Sequence, residues 1–189
     1  MVNGIFKFTL VLCLGLQASA QSLTLTKAGL LGTGCSVSSA TARIRDGVVS
    51  IEANNFGAYS GPGMAYSSSR KNCQATLSVN IPDGYQFAFG ETRLPAAVRA
   101  DKGTQVSASN LYYFQGEITQ DEDTSTVPAG TSGTVTLVNS YGPSTWSSCG
   151  GAAIVNLNTA LRAHSTDKSA SGSIKLRGSL DTKIVWRKC

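Results

Sequence analysis

Apolar and polar residues alternate in a series of short segments along this chain, and turn-forming residues separate the segments. Residues 75–81 alternate over seven positions, Pro82-Asp83-Gly84 follows, and residues 85–89 resume the alternation. Because successive side chains of a strand point to opposite faces, this period of two indicates strands with one buried face. No stretch beyond residue 20 keeps a helical period over eleven positions. We therefore predict an all-β protein with little helix.

The turn residues also indicate how these strands connect. Asp46-Gly47 between residues 42–45 and 48–53 predicts a hairpin with a two-residue type I′ turn. The alternation predicts two more antiparallel pairs, and a polar, acidic stretch at residues 120–133 predicts an exposed loop. The paired segments are 75–81 with 85–89 and 94–99 with 106–117; the other predicted strands are 133–138, 154–162, 173–177 and 183–187. Eight to ten such strands favour an antiparallel β-sandwich, with a closed barrel as the alternative.

The first twenty residues have the pattern of a secretory signal peptide. Lys7 precedes an apolar run at residues 8–16, and Ala18-Ser19-Ala20 supplies a small-residue cleavage site. The run is too short to span a bilayer, which takes about 20 apolar residues. We predict a signal peptide at residues 1–20, one secreted domain at residues 21–189, an extracellular location and no membrane span.

Four cysteines remain after the predicted cleavage: Cys35, Cys73, Cys149 and Cys189. An even number in a secreted chain predicts two disulfides, so the protein is predicted to be disulfide-bonded. Three pairings are possible, and we favour Cys35 with Cys73 and Cys149 with Cys189. A zinc site is the alternative, but the sequence has no closely spaced cysteine pair and one histidine.

The formal net charge of +5 comes from scattered residues, and charged residues make up 14% of the chain. The basic residues are not interleaved with aromatic ones, so we predict no nucleic-acid partner.

Catalytic chemistry has little support in the sequence. His164 is the single histidine, and neither of the G-x-S-x-G and H-E-x-x-H motifs occurs. Glu52, Glu91 and Glu117 are strand carboxylates that a glycoside hydrolase could use. Asp121-Glu122-Asp123 lacks the spacing of a calcium loop. We predict no catalytic residues, no metal and no cofactor.

Aromatic residues in or beside predicted loops suggest a sugar- or partner-binding surface, because their flat apolar faces have polar rims. The candidates are Tyr59, Tyr66, Tyr112, Tyr141 and Trp146. Strand alternation places Tyr112 and Tyr113 on opposite faces, so one of the two is expected in the core. Residues 60–69, with Gly61-Pro62-Gly63, are predicted to be a flexible loop or the rim of a binding face.

The surroundings of the four cysteines resemble the fungal domain-of-unknown-function 4360 family. The resemblance rests on Gly32-Thr33-Gly34-Cys35, Ser69-Arg70-Lys71-Asn72-Cys73, Cys149-Gly150 leading into Asn156-Leu157-Asn158-Thr159, and Trp186-Arg187-Lys188-Cys189. It departs from the family at Ser36 and Ser148, where members often carry proline. The resemblance implies a small secreted protein of a filamentous fungus, and it supplies no catalytic residues.

Together these observations predict a secreted, non-enzymatic fungal protein, a monomer, that acts outside the cell as a virulence or host-interaction effector. The alternatives are a cell-wall or glycan-binding module and, third, a glycoside hydrolase. The predicted partner is accordingly a host protein or a cell-wall polysaccharide.

Overall fold

The structure is a computed structural model that describes residues 21–189, so the predicted signal peptide lies outside the described residues. Twelve strands and one 3-10 turn at Tyr66–Ser68 make up this part of the chain. The strands are β1 (Thr24–Leu31), β2 (Ala40–Arg45), β3 (Val48–Ala53), β4 (Gly57–Ser60), β5 (Arg70–Ile81), β6 (Tyr85–Ala100), β7 (Thr104–Phe114), β8 (Asp121–Val127), β9 (Ser132–Ser140), β10 (Gly151–Ser165), β11 (Gly172–Leu176) and β12 (Ser179–Lys188).

The strands form two antiparallel sheets that pack face to face. The five-stranded sheet has the order β1-β5-β10-β7-β8. The seven-stranded sheet has the order β2-β3-β12-β6-β11-β4, and β9 pairs with β6 outside this path. The predicted all-β, disulfide-bonded sandwich is confirmed. No helix in residues 21–189 has the length and apolar character needed to cross a membrane.

The core lies between the sheets and is built from the inward-facing residue of each alternating pair. Leu77 on β5 and Leu161 on β10 are fully buried on one side, and Phe87 and Phe89 on β6 are fully buried on the other. Burying a large apolar side chain stabilises the fold by roughly 1.5–3 kcal/mol. The alternation of apolar and polar residues therefore arises because one face of each strand is buried in the core and the other is not.

The hairpin of β2 and β3 is confirmed in detail. Asp46 and Gly47 have φ angles of 51° and 75°, the left-handed values that a type I′ turn requires at both central positions. Ala40 to Arg45 then pair with Ala53 to Val48 in register.

The two other predicted pairs are wrong. Strands β5 and β7 belong to the five-stranded sheet, whereas β6 belongs to the seven-stranded one. The turns at 82–84 and 101–103 therefore carry the chain from one sheet to the other. A strand that packs across the core has the same alternation as a strand that pairs within a sheet, so the pattern does not distinguish the two arrangements.

The exposed loop predicted at residues 120–133 is also wrong, because β8 and the start of β9 fall within it. Strand β8 pairs with β7 at the edge of the five-stranded sheet. Its composition is polar because an edge strand is largely exposed, and only Val127 of β8 is buried.

The disulfides pair Cys35 with Cys73 and Cys149 with Cys189, with Cα atoms 5.2 and 6.0 Å apart. The first joins the loop after β1 to β5. The second joins the segment before β10 to the residue after β12, and so links the two sheets.

Asp121, at the start of β8, holds the segment that follows β9. Its carboxylate accepts hydrogen bonds from the Ser144 hydroxyl (2.7 Å), the Thr145 amide (2.8 Å) and the Tyr112 hydroxyl (2.8 Å). Partial burial by itself would raise the pKa of Asp121, but these donors outweigh it and lower the pKa below its usual value.

We expect Asp121→Asn to destabilise the protein at pH 7 by about 2 kcal/mol, the range for hydrogen bonds to a charged group. The stabilisation by Asp121 is present above the pKa of the unfolded carboxyl, about 3.9, and is lost as the pH falls through the lower folded pKa. Thermal melts from pH 7 to pH 2 should therefore show the two proteins converging. Glu122→Gln, a change at an exposed position of the same strand, is the control. A difference in melting temperature between the wild type and Asp121→Asn that stays constant with pH contradicts the prediction.

Removing either disulfide should destabilise the protein by about 4 kcal/mol, because each bridge closes a loop of 38 or 40 residues. The double variants Cys35→Ser with Cys73→Ser, and Cys149→Ser with Cys189→Ser, separate the two effects in denaturant melts. Unchanged midpoints in both variants would rule out this role for the bridges.

Candidate functional site

A cleft lies where the loop after β4 meets the end of β10. Its volume is about 480 Å³, and its lining includes Tyr59, Met64, Tyr66 and His164. Tyr66 is 89% exposed and Met64 is 56% exposed, so two apolar side chains face solvent at its rim. We call it the aromatic-loop cleft.

Backbone hydrogen bonds explain why residues 60–69 take this shape. The Met64 amide donates to the Gly61 carbonyl (3.1 Å), and Gly63 has a φ of 74°, a left-handed value that favours glycine. The Ala163 amide on β10 donates to the Ser69 carbonyl (2.9 Å), which fixes the end of the loop to the five-stranded sheet. The loop is therefore held in place at the wall of the aromatic-loop cleft.

His164 and Asp167 both line the aromatic-loop cleft. The Asp167 carboxylate accepts hydrogen bonds from the Ser169 amide (2.8 Å) and hydroxyl (2.7 Å), which lower its pKa. Within residues 21–189, no hydrogen bond joins the His164 side chain to Asp167 or to a serine. A serine hydrolase needs both of those contacts to orient its base.

Two of the five candidate aromatic residues are in the core. Tyr112 is fully buried and Tyr141 is 6% exposed, with their ring centroids 5.0 Å apart. Burial raises the pKa of both hydroxyls, that of Tyr141 to about 12. Because both rings are buried, a ligand cannot contact their faces, and Tyr112 and Tyr141 are not part of a binding surface. Tyr113 is the outward-facing member of its pair, as alternation predicts.

Trp146 is partly buried and does not line the aromatic-loop cleft. The Arg187 guanidinium lies 4.2 Å from the centre of its ring, and its indole Nε1 donates to the Pro143 carbonyl (3.1 Å). The ring face is therefore already in contact with a cation of this chain. Of the five candidates, the aromatic-loop cleft brings together Tyr59 and Tyr66.

The candidate hydrolase carboxylates are not gathered in one cleft. Glu52 pairs with Arg43 at 3.6 Å and Glu91 with Arg93 at 2.8 Å, on the seven-stranded sheet. Glu117 lies after β7 and lines a different depression from Glu91. No group of three or more His, Cys, Asp or Glu residues suited to a metal ion occurs within residues 21–189.

Sequence reasoning did not identify Met64 as part of the site. Its only signal was its position between Gly63 and Tyr66 in a loop that was already a candidate rim. A single methionine in a loop has no periodic pattern that would mark it as exposed.

The fold and these sites define a class: a disulfide-bonded β-sandwich with a surface cleft between a fixed loop and a strand end. The chain belongs to the domain of unknown function family DUF4360, whose model matches residues 21–189. A relative from Arthroderma benhamiae, an uncharacterized secreted protein, is 28% identical over 169 residues, covering 84% of this chain and 68% of the relative. The secreted relative and the two disulfides agree with the predicted location, and the protein is secreted.

Solved structures with some similarity include two carbohydrate-binding modules. TmCBM61 in complex with β-1,4-galactotriose has a TM-score of 0.30 and 8% identity, covering 88% of this chain and 91% of that chain. A family 11 module from Clostridium thermocellum, with a mixed-linked tetrasaccharide, has a TM-score of 0.24 and 9% identity, covering 87% and 97%. At these scores the likeness carries no argument about what this chain binds.

Proposed function

We propose that this protein is a secreted, non-enzymatic binding protein that attaches to cell-wall polysaccharide through the aromatic-loop cleft. The observation that carries the proposal is the pairing of an exposed tyrosine ring, Tyr66, with a cleft of about 480 Å³. Ligand sites are commonly concave, of roughly 300–1,000 Å³, with apolar walls and a few polar groups.

The chemistry of the lining matches one face of a sugar ring. The rings of Tyr59 and Tyr66 and the side chain of Met64 offer apolar contact, while His164 and Asp167 offer hydrogen-bonding groups. A sugar has both kinds of surface, because its C–H groups form an apolar face and its hydroxyls lie around the edge. Tyr66 has no ring partner within residues 21–189, so its face is free for such contact.

A binding role, and not catalysis, is supported by the state of the reactive groups. All four cysteines of the described chain are in disulfides, so they supply no thiolate nucleophile. Within residues 21–189, no carboxylate is hydrogen-bonded to the His164 side chain, and two of the candidate glutamates are paired with arginine. The host-interaction role expected from the sequence stays a prediction, which deletion of the gene and measurement of growth on a host would test.

We expect Tyr66→Ala to weaken retention on insoluble cell-wall polysaccharide by about two- to tenfold, since the contacts of an aromatic ring contribute about 0.5–1.5 kcal/mol. Retention is measured by depletion of the secreted protein from solution at increasing polysaccharide. Tyr66→Phe keeps the ring face and should restore binding. Ile118→Ala, a fully exposed apolar residue outside the cleft, is the matched control. Equal retention of the wild type and Tyr66→Ala would show that the aromatic-loop cleft is not the binding site.

A further inference from the structure

The outer face of the five-stranded sheet has no charged residue at its centre. Strand β7 contains no charged residue, and the charged residues of the other strands lie at the margins. Lys27 is on edge strand β1, Asp121, Glu122 and Asp123 are on edge strand β8, and Arg70, Lys71 and Arg162 lie at one end of β5 and β10. We call the outward positions at the centre of this sheet the uncharged face: Gln74, Thr76, Ser78, Ser109, Leu111, Tyr113, Asn156, Asn158 and Ala160.

The outer face of the seven-stranded sheet, in contrast, carries many charged residues. Charged residues occur on β2, β3, β6, β11 and β12 and include Arg43, Arg45, Glu52, Glu91, Arg93, Arg99, Lys175, Asp181, Lys183 and Arg187. Solubility explains a charged outer face, because ions are well hydrated. It does not explain an outer sheet face whose centre carries no charge.

Carboxamides and hydroxyls at the centre of the uncharged face are already ordered. The Asn156 oxygen accepts hydrogen bonds from Thr76 Oγ1 (2.7 Å) and Gln74 Nε2 (3.3 Å), and Asn156 is 5% exposed. Two positions further along β10, Asn158 Oδ1 is buried and has no hydrogen-bond partner within residues 21–189. Amides and hydroxyls both donate and accept, whereas a carboxylate only accepts and an ammonium only donates.

Apolar groups lie beside these polar ones. Tyr113 is directly opposite Asn156 on the neighbouring strand, and Leu111 is opposite Asn158. On the other side, Gly29, Leu31, Val37, Gln74 and Thr76 line a depression of about 570 Å³. Leu31 and Val37 are 77% and 75% exposed. The uncharged face therefore continues into a recess with apolar walls and amide and hydroxyl groups along β5.

We propose that the uncharged face, with the depression at Gly29, binds a neutral, extended polysaccharide. Its amides and hydroxyls match ligand hydroxyls, and Tyr113, Leu31 and Val37 match the apolar faces of the sugars. A charged polymer finds no counter-ion at the centre of the face and loses hydration there without compensation. The inference shares the class of ligand with the proposed function but depends on other residues.

Gly29 provides a blocking variant that should not disturb the fold. A Cβ atom at Gly29 would meet only Thr76, at 3.9 and 4.0 Å, which are ordinary contact distances. Gly29→Glu therefore places both bulk and charge in the depression, and Gly29→Ala adds little of either. Thr136→Glu, on exposed strand β9 of the other sheet, is the matched control for charge.

The test is depletion of the secreted protein by three insoluble polysaccharides: a neutral glucan, cationic chitosan and anionic pectate. We expect retention on the neutral glucan that changes little with salt, a loss of at least tenfold in Gly29→Glu and Tyr113→Ala, and wild-type retention in Gly29→Ala and Thr136→Glu. Circular dichroism melts confirm that each variant is folded.

Three results overturn the inference. In the first, Gly29→Glu and Tyr113→Ala are retained like the wild type while Tyr66→Ala is lost. This result supports binding at the aromatic-loop cleft and shows that the uncharged face is not a binding site. In the second, retention on chitosan or pectate is stronger than on the neutral glucan and is sensitive to salt. This result shows that the ligand is charged and not neutral. A dimer in sedimentation that Gly29→Glu dissociates makes the face a contact between two copies. Loss in Gly29→Glu with none in Tyr66→Ala supports the inference and rejects the cleft.

Discussion

Edge-to-face contacts between aromatic rings join the two sheets, and much of the remaining structure depends on this contact. Phe87 and Phe89 on β6 meet Phe114 and Tyr112 on β7 at centroid distances of 5.2 and 5.0 Å. Such pairs contribute about 0.5–1.5 kcal/mol beyond the area they bury. Because β6 and β7 lie in different sheets, these contacts hold the two sheets face to face.

The same contact explains why Tyr112 is structural and why the polar strand β8 stays in place. The Tyr112 ring lies in the core, and its hydroxyl reaches the Asp121 carboxylate and the Thr145 carbonyl. A buried hydroxyl without such partners would destabilise the fold. Asp121 in turn holds residues 144–145, so an edge strand with one buried side chain is attached through hydrogen bonds and not through apolar packing.

Because the inward-facing side chains alone form the core, the outward-facing residues of the two sheets can differ in charge. The seven-stranded sheet carries the charge and with it the paired Glu52 and Glu91, while the five-stranded sheet keeps its centre neutral. The uncharged face lies on the five-stranded sheet, and the aromatic-loop cleft lies where the end of β10 meets Tyr59 on β4 and the loop that carries Tyr66. The disulfide from Cys149 to Cys189 links the two sheets where β10 begins, at the opposite end of that strand from the aromatic-loop cleft.

The sequence by itself determined most of the strands, the Asp46-Gly47 turn and the number of disulfides, because alternation, turn chemistry and cysteine count are local properties. Strands β1, β4 and β8 were not among the predicted strands. Tertiary structure decided which strands are neighbours, because a strand has the same pattern whether its partner lies beside it or across the core. It also decided that Tyr112 and Tyr141 are buried while Tyr66 is exposed, since all three are equally aromatic in the sequence. The uncharged face exists only after β5, β7 and β10 are brought together from distant parts of the chain.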